Sequence, residues 1–314
     1  MKAAVIKKFG LPSVFEITDL FIPKPKANQL LVRVYATSIN PIDWKQRKGN
    51  HRFILGAPFP ITLGYDVCAE VVEVGSQIKM FKPGDVVFGV LDNKYGGALA
   101  EYALGTESCF ALAPRNIRFE HAAAFPMVSL TALQALRDKA KLKHGMRVLI
   151  NGASGGVGHI AVQMARLMNA KVIAVSSSRN QTFVESLQPD QFIDYNKQDI
   201  LKTTDKIDVF FDVSGIYSFV KCKHMLNPGG IYINTLPRPK ILFHKILQLF
   251  TKGKKVKTLL MKHSSDDLRI IGQWITEGKL KVELDEIFNL NNISAAHHYA
   301  EGGHSKGKNV VIIN

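Results

Sequence analysis

Apolar and polar residues alternate in short stretches through the first third of the chain. Segments 29–36, 67–74 and 85–90 are rich in Val, Ile and Tyr, and turn formers such as Lys82-Pro83-Gly84-Asp85 separate them. This pattern predicts half-buried strands in a compact all-β unit reaching to about Pro114. From Arg147 the pattern changes to apolar runs alternating with amphipathic stretches: 147–151, 156–168, 171–175, 179–187, 191–195, 207–213 and 229–235. Strand and helix in alternation predict a parallel sheet covered by helices on both faces. A later helix begins at Ser264, with Asp267 three residues on, buries Leu268, Ile271 and Ile275, and stops at Gly278. Segments 281–290 and 308–313 read as strands again, so the tail is expected to return to the first domain. The expected fold is α/β in two domains, 1–121 completed by 281–314, and 122–280.

Composition narrows the class. With 314 residues, 46% of them hydrophobic and 21% charged, the chain can bury the core of two ordinary domains. Lys and Arg outnumber Asp and Glu by 41 to 26, a net +15 that draws the protein to phosphates without saying whether they belong to a cofactor, a nucleic acid or a membrane. Arg238, Lys240, Lys245, Lys252, Lys254, Lys255, Lys257 and Lys262 lie in a stretch without an acidic residue, interleaved with Ile241, Leu242, Phe243, Ile246, Leu247, Leu249 and Phe250. That stretch reads either as a helical insertion with a solvated cationic face or as a peripheral contact for a membrane or nucleic acid. Cys68, Cys109 and Cys222 show no CxxC spacing, which fits a reducing compartment and excludes a cysteine zinc site. Residues 1–8 lack the pattern of a secretory signal and no apolar run reaches the ~18 residues of a span, so a cytoplasmic location is expected.

The strongest local signal is Asn151-Gly152-Ala153-Ser154-Gly155-Gly156-Val157-Gly158, between a predicted strand and a predicted helix. Gly155 and Gly156 let a backbone approach a pyrophosphate. Gly158 lets the helix lie close to the strand, and the free amides at the helix start attract the anion. Ala153 stands where the dinucleotide fingerprint has its first glycine. At the end of the next strand, Ser176, Ser177, Ser178 and Arg179 offer hydroxyls and a guanidinium where an NAD site carries a carboxylate. A guanidinium forks onto the 2'-phosphate of NADP, whereas a carboxylate repels it, so NADP(H) is the expected cofactor.

Ser38-Ile39-Asn40-Pro41-Ile42-Asp43-Trp44-Lys45, Leu63-Gly64-Tyr65-Asp66-Val67, Val74-Gly75 with Phe81-Lys82-Pro83-Gly84-Asp85, Leu130-Thr131-Ala132-Leu133, the glycine turn, and Glu301-Gly302-Gly303-His304 before Gly307-Lys308 follow one another in an order of their own. Together they resemble the zinc-free, quinone oxidoreductase branch of the medium-chain dehydrogenase/reductase superfamily, over essentially the whole chain. The resemblance implies a GroES-like β domain on the substrate side and a Rossmann domain on the cofactor side. It also implies NADPH-dependent hydride transfer to quinones or enone-type double bonds, and the family's habit of dimerising. The superfamily's zinc-ligand positions look like Asn40 and Tyr65 here, with Met127, Val128 and Ser129 around the third. Those groups do not make a tight zinc site, so no metal is expected.

By the same resemblance Thr131 contacts the nicotinamide end, and Tyr195 lies near the ribose phosphate. Asn40 faces the substrate, Tyr65 donates a proton or hydrogen bond, and Asp43 and Lys45 are neighbours. Plainer readings stand beside these: Asn40 as a turn residue, Asp43 and Lys45 as a mutual surface ion pair, Tyr65 as a packed aromatic. Ala153, Ser154, Gly155, Gly156 and Val157 complete the expected cofactor contacts. Two other functions stay open, an NADPH-binding protein that grips RNA or an anionic membrane with little turnover, and a zinc-independent alcohol or aldehyde dehydrogenase.

Overall fold

The computed structural model describes residues 1–50, 52–202, 206–235 and 253–313. Two compact units emerge, Met1–Met127 with His263–Asn314, and Val128–Lys262. The divisions fall at 127/128 and 262/263, where the sequence pattern suggested 121/122 and 280/281.

The first unit begins with β1 (Lys2–Ile6), β2 (Phe15–Asp19), β3 (Gln29–Ser38), β4 (Ile61–Thr62), β5 (Asp66–Val74), β6 (Val86–Val90), β7 (Tyr102–Thr106) and β8 (Phe110–Leu112). β7 shows clean alternation of half-exposed and buried positions, while Leu30, Leu31 and Val32 of β3 are buried on both faces. The core gathers Leu30, Val32, Val34, Val67, Ala69, Val87 and Phe110, each burial of this kind contributing ~1.5–3 kcal/mol for a large side chain.

The second unit carries β9 (Arg147–Asn151), β10 (Lys171–Ser176), β11 (Gln191–Asp194), β12 (Ile207–Asp212), β13 (Leu226–Asn234) and β14 (Lys255–Thr258). They form one sheet in the order β11-β10-β9-β12-β13-β14, parallel throughout. The strand order reverses between β9 and β12, so the carboxyl ends of these strands open the crevice where such sheets bind ligands. The helix after β9 runs Gly156–Leu167, with Ile160, Ala161, Met164 and Ala165 buried.

β14 was not expected. It lies in the basic stretch, where the residues from Arg238 to Lys252 fall outside those described. Lys255 and Lys257 stand on an edge strand, Lys257 Nζ donates to the Lys139 carbonyl (2.7 Å), and Lys254 Nζ donates to that of Lys223 (2.7 Å). These lysines bond within the unit, and the described end of the stretch is a strand, not an interfacial helix.

The chain closes in the first unit with β15 (Leu284–Asn289) and β16 (Lys308–Ile312). They complete the order β15-β16-β3-β5-β6-β8, with β7 also on β3, and a small sheet β2-β1-β4 lies apart. The tail therefore returns to the first domain, as its strand pattern suggested. The helix Ser265–Thr276 belongs to this unit as well, because a Cβ at Gly272 would lie in ordinary contact, 3.6 Å, with the Phe88 ring of β6. Its apolar stripe of Leu268, Ile271 and Ile275 is buried.

Candidate functional site

In the second unit the glycine turn is tied to the neighbouring strand: Gly152 and Ala153 both donate backbone N–H bonds to the Val175 carbonyl, at 3.1 and 2.9 Å. Gly152, at φ +88°, takes the left-handed conformation, and Ala153 is buried without needing it. That explains why an alanine is tolerated at the first fingerprint position. A Cβ at Gly158 would fall 1.9 Å from the Gly152 carbonyl oxygen, so the obstacle there is the turn's own backbone and not the strand beneath. At Gly155 the nearest atom, again the Gly152 oxygen, is 3.6 Å away. That is ordinary contact, so a Cβ there would not clash within the protein.

Gly155 caps the helix without a side-chain bond to its first amides. Ser154, Gly155, Gly156 and Val157 are all partly exposed there, so unsatisfied N–H groups and the positive end of the helix dipole are open to an anion. The Ser154 hydroxyl accepts from Ser176 Oγ (2.8 Å) and Asn180 Nδ2 (3.0 Å), which joins the turn to the end of β10. Ser177 caps the one-turn helix Ser178–Asn180, and Ser178 and Arg179 are exposed on it. Tyr195 follows β11, donates its N–H to the Ser176 carbonyl (3.1 Å) and leaves 51% of its surface exposed, so the ring is open to solvent. Thr131 sits on a separate element, the helix Pro126–Leu133, and is largely buried.

Sequence reasoning overlooked two features of these strand ends. Asn151 donates to Asp212 Oδ1 (2.8 Å) and to Ser214 Oγ (2.6 Å), and Asp212 also accepts from Tyr217 N (2.9 Å) and the Tyr232 hydroxyl (2.8 Å), a buried lattice at the point of reversal. Asp194 ends β11, and its carboxyl is held below the ordinary range by the Asn196 amide first, opposed by burial, with further bonds from Ser178. In both cases the signal was a polar residue closing an apolar run.

In the first unit the expected substrate-side residues come together around a buried charge network. Asp66, fully buried, accepts from Ser38 Oγ (2.6 Å), Asn40 Nδ2 (2.7 Å) and Met127 N (2.8 Å). Lys308, 3% exposed, donates to Asn40 Oδ1 (2.7 Å) and the Ile39 carbonyl (3.1 Å), and lies 3.6 Å from Asp66. Both ends of the Asn40 carboxamide are thus engaged inside the protein. The turn-residue reading given beside the substrate-facing one accommodates these bonds directly. Neither Asp66 nor Lys308 was singled out from sequence, although both lie within the quoted stretches.

Asp43 is buried and caps the helix Pro41–Arg47, its Oδ2 accepting the Asn40 N–H at 2.7 Å. Burial raises its carboxyl to about 7. The surface ion pair with Lys45 is therefore excluded. Lys45 is half-buried with its ammonium 5.3 Å from the Trp44 ring centroid, and burial lowers its pKa. The Tyr65 hydroxyl accepts from Gln46 Nε2 (2.6 Å) and donates to the Lys94 carbonyl (2.7 Å), and burial pushes it up to about 12. Among the described residues no three His, Cys, Asp or Glu side chains gather as metal ligands. The residues at the expected zinc positions do not fit the metal, because an ammonium already occupies the oxygen of Asn40.

A first unit built on a mixed β-sheet with helices, and a second unit with a parallel dinucleotide-type sheet and a glycine turn at its reversal point, are the two parts of an oxidoreductase fold. The chain matches the family models for the alcohol dehydrogenase GroES-like domain over residues 26–115 and for zinc-binding dehydrogenase over residues 187–311. It is 37% identical to the chloroplast envelope quinone oxidoreductase homolog of Arabidopsis thaliana, covering 92% of this chain and 91% of that one. It is 31% identical to the NADPH-dependent alkenal/one oxidoreductase of the same plant, covering 99% of this chain and 79% of that one. The solved quinone oxidoreductase from Coxiella burnetii superposes with a TM-score of 0.93 at 32% identity, covering 100% of this chain and 99% of the other. The chain belongs to the medium-chain dehydrogenase/reductase superfamily, in its quinone oxidoreductase-like branch.

Proposed function

We propose that the protein is a cytoplasmic, zinc-independent reductase that uses NADPH to reduce quinones or enone-type double bonds. The observation that carries the reading is the strand-end cluster of Ser154, Ser176, Ser178 and Arg179 around a helix start with open amides. The amides of residues 156 and 157 would hold the pyrophosphate, the missing Cβ at Gly155 would let a phosphate oxygen approach, and Arg179 with Ser178 would hold the 2'-phosphate. NADPH, when bound, supplies the hydride. The protein's own contribution is to orient that cofactor and present the acceptor.

Alcohol oxidation needs a group that stabilises an alkoxide, and the engaged amide of Asn40 is not one. An electron-poor double bond makes no such demand. The three cysteines are buried free thiols, consistent with a reducing compartment. The test is NADPH oxidation against a panel of quinones, enones and aldehydes, with alcohol oxidation assayed alongside and zinc measured by elemental analysis. Turnover of quinones or enones that persists in strong chelator is expected. One tightly held zinc per chain whose removal abolishes activity would overturn the zinc-independent part, and alcohol oxidation as the main activity would overturn the substrate class.

A further inference from the structure

We propose that Lys308 is a positioning residue for the acceptor side of this reductase, an internal ammonium that sets the helix Pro41–Arg47 and Tyr65 relative to one another. The inference rests on the reductase reading above. Lys308 comes from the last strand, β16, and reaches across to the two residues that lead into the helix. It donates to the carbonyl of Ile39 at 3.1 Å and to the side chain of Asn40 at 2.7 Å. Asn40 passes the constraint on, donating at 2.7 Å to Asp66, the residue that follows Tyr65. At the far end of the helix Gln46 donates at 2.6 Å to the Tyr65 hydroxyl. Tyr65 is thus fixed through its neighbour at one end and its phenol at the other, and both fixings depend on how the helix starts.

Charge makes the arrangement specific. Asp43 and Asp66 are two buried carboxyls at this helix start, and Lys308 is the cation that approaches Asp66. Taking an ammonium out of water costs several kcal/mol, and an apolar side chain of the same length is often as stable or more so in such a place. Packing alone therefore does not account for a lysine here. What an apolar side chain cannot do is orient the Asn40 carboxamide. With the ammonium on Oδ1, the amide must turn its Nδ2 toward Asp66.

The experiment replaces Lys308 in the full-length protein by Ala, which opens a carboxylate-lined space, and by Met, which fills it without charge. Three quantities are read: NADPH affinity by fluorescence titration, kcat/KM for the acceptor, and the thermal midpoint, each with and without ethylammonium chloride and with sodium chloride as control. Acceptor kcat/KM should fall ~10-fold or more in both variants, about the worth of one charge-assisted hydrogen bond, while NADPH affinity stays within about twofold. Ethylammonium should restore both kcat/KM and midpoint in Lys308→Ala and do nothing for Lys308→Met. Acceptor kinetics like those of the unmodified protein in either variant would overturn the proposal. So would an equal loss of NADPH affinity, or a Lys308→Ala protein that ethylammonium does not move. Absence of turnover in the unmodified protein would instead be a failure of the reductase reading, and the midpoint response to ethylammonium is independent of it.

Discussion

Arg179 stands exposed on the single helical turn after β10, beside Ser178 and with no ion pair among the described residues. A guanidinium in that state keeps its donors for a ligand. If it holds the 2'-phosphate, NADPH should bind ~10-fold or more tightly than NADH, and Arg179→Glu should narrow or reverse the preference. Titration of both cofactors against both proteins checks this, and equal affinities in the unmodified protein would refute the assignment. A second residue governs acid stability. His297 is fully buried, its ring meets Phe15 at 4.7 Å between centroids, and neither ring nitrogen has a partner among the described residues. Burial, aided by the Arg47 charge, lowers its pKa from 6.5 to about 3. The unfolded chain therefore binds a proton that the folded one refuses, and this residue lowers stability as pH falls from about 6.5 toward about 3. His297→Leu should lose less of its thermal midpoint over that interval than the unmodified protein. A larger loss would contradict the assignment.

The turn and helix that follow β9 separate two uses of glycine. A Cβ at Gly158 would meet backbone at 1.9 Å, a contact that cannot be relieved by a rotamer change, whereas one at Gly155 would lie in ordinary contact at 3.6 Å. Gly158→Val should therefore lower the thermal midpoint together with cofactor affinity, overpacking of this kind costing ~1–3 kcal/mol or more. Gly155→Val should melt close to the unmodified protein and fail to bind NADPH. Normal binding by Gly155→Val would reduce the turn to a fold element. The helix Ser265–Thr276 offers a control at the same scale. Ser264 Oγ accepts the Asp267 N–H at 3.1 Å, so Ser264→Ala should cost ~1 kcal/mol in a denaturant melt with cofactor affinity unchanged. This helix start was legible from Ser264 and Asp267 alone, since a cap is made within four consecutive residues. The unit it packs in was not, because an apolar stripe at helical spacing fits any complementary surface. β14 escaped notice for a related reason, four residues with three polar ones being paired into an edge only by the neighbouring β13.

At the scale of the molecule, Lys254 and Lys257 turn their ammonium groups onto backbone carbonyls, while pairs such as Arg47 with Glu301 and Lys308 with Asp66 leave the net +15 unchanged. That positive field should favour an anionic cofactor. Raising ionic strength from low to about 1 M, where the screening length is about 3 Å, should weaken NADPH binding measurably. An affinity independent of salt would mean that the surface field plays no part. The sequence by itself determined the strand and helix alternation, the glycine turn and the hydroxyl-rich end of β10, because each is written in contiguous residues whose periodicity or φ preference is local. The serine cluster beside the turn was legible on the same ground, whereas Tyr195 came from the family resemblance and its exposure from the fold. Tertiary structure alone decided that Asn40 is held rather than free, that Asp43 is a buried cap, and that Lys308 completes their network. Those roles depend on contacts across as many as 269 residues, and on a desolvation that no local pattern records, since only packing puts a lysine from the last strand where water cannot reach it.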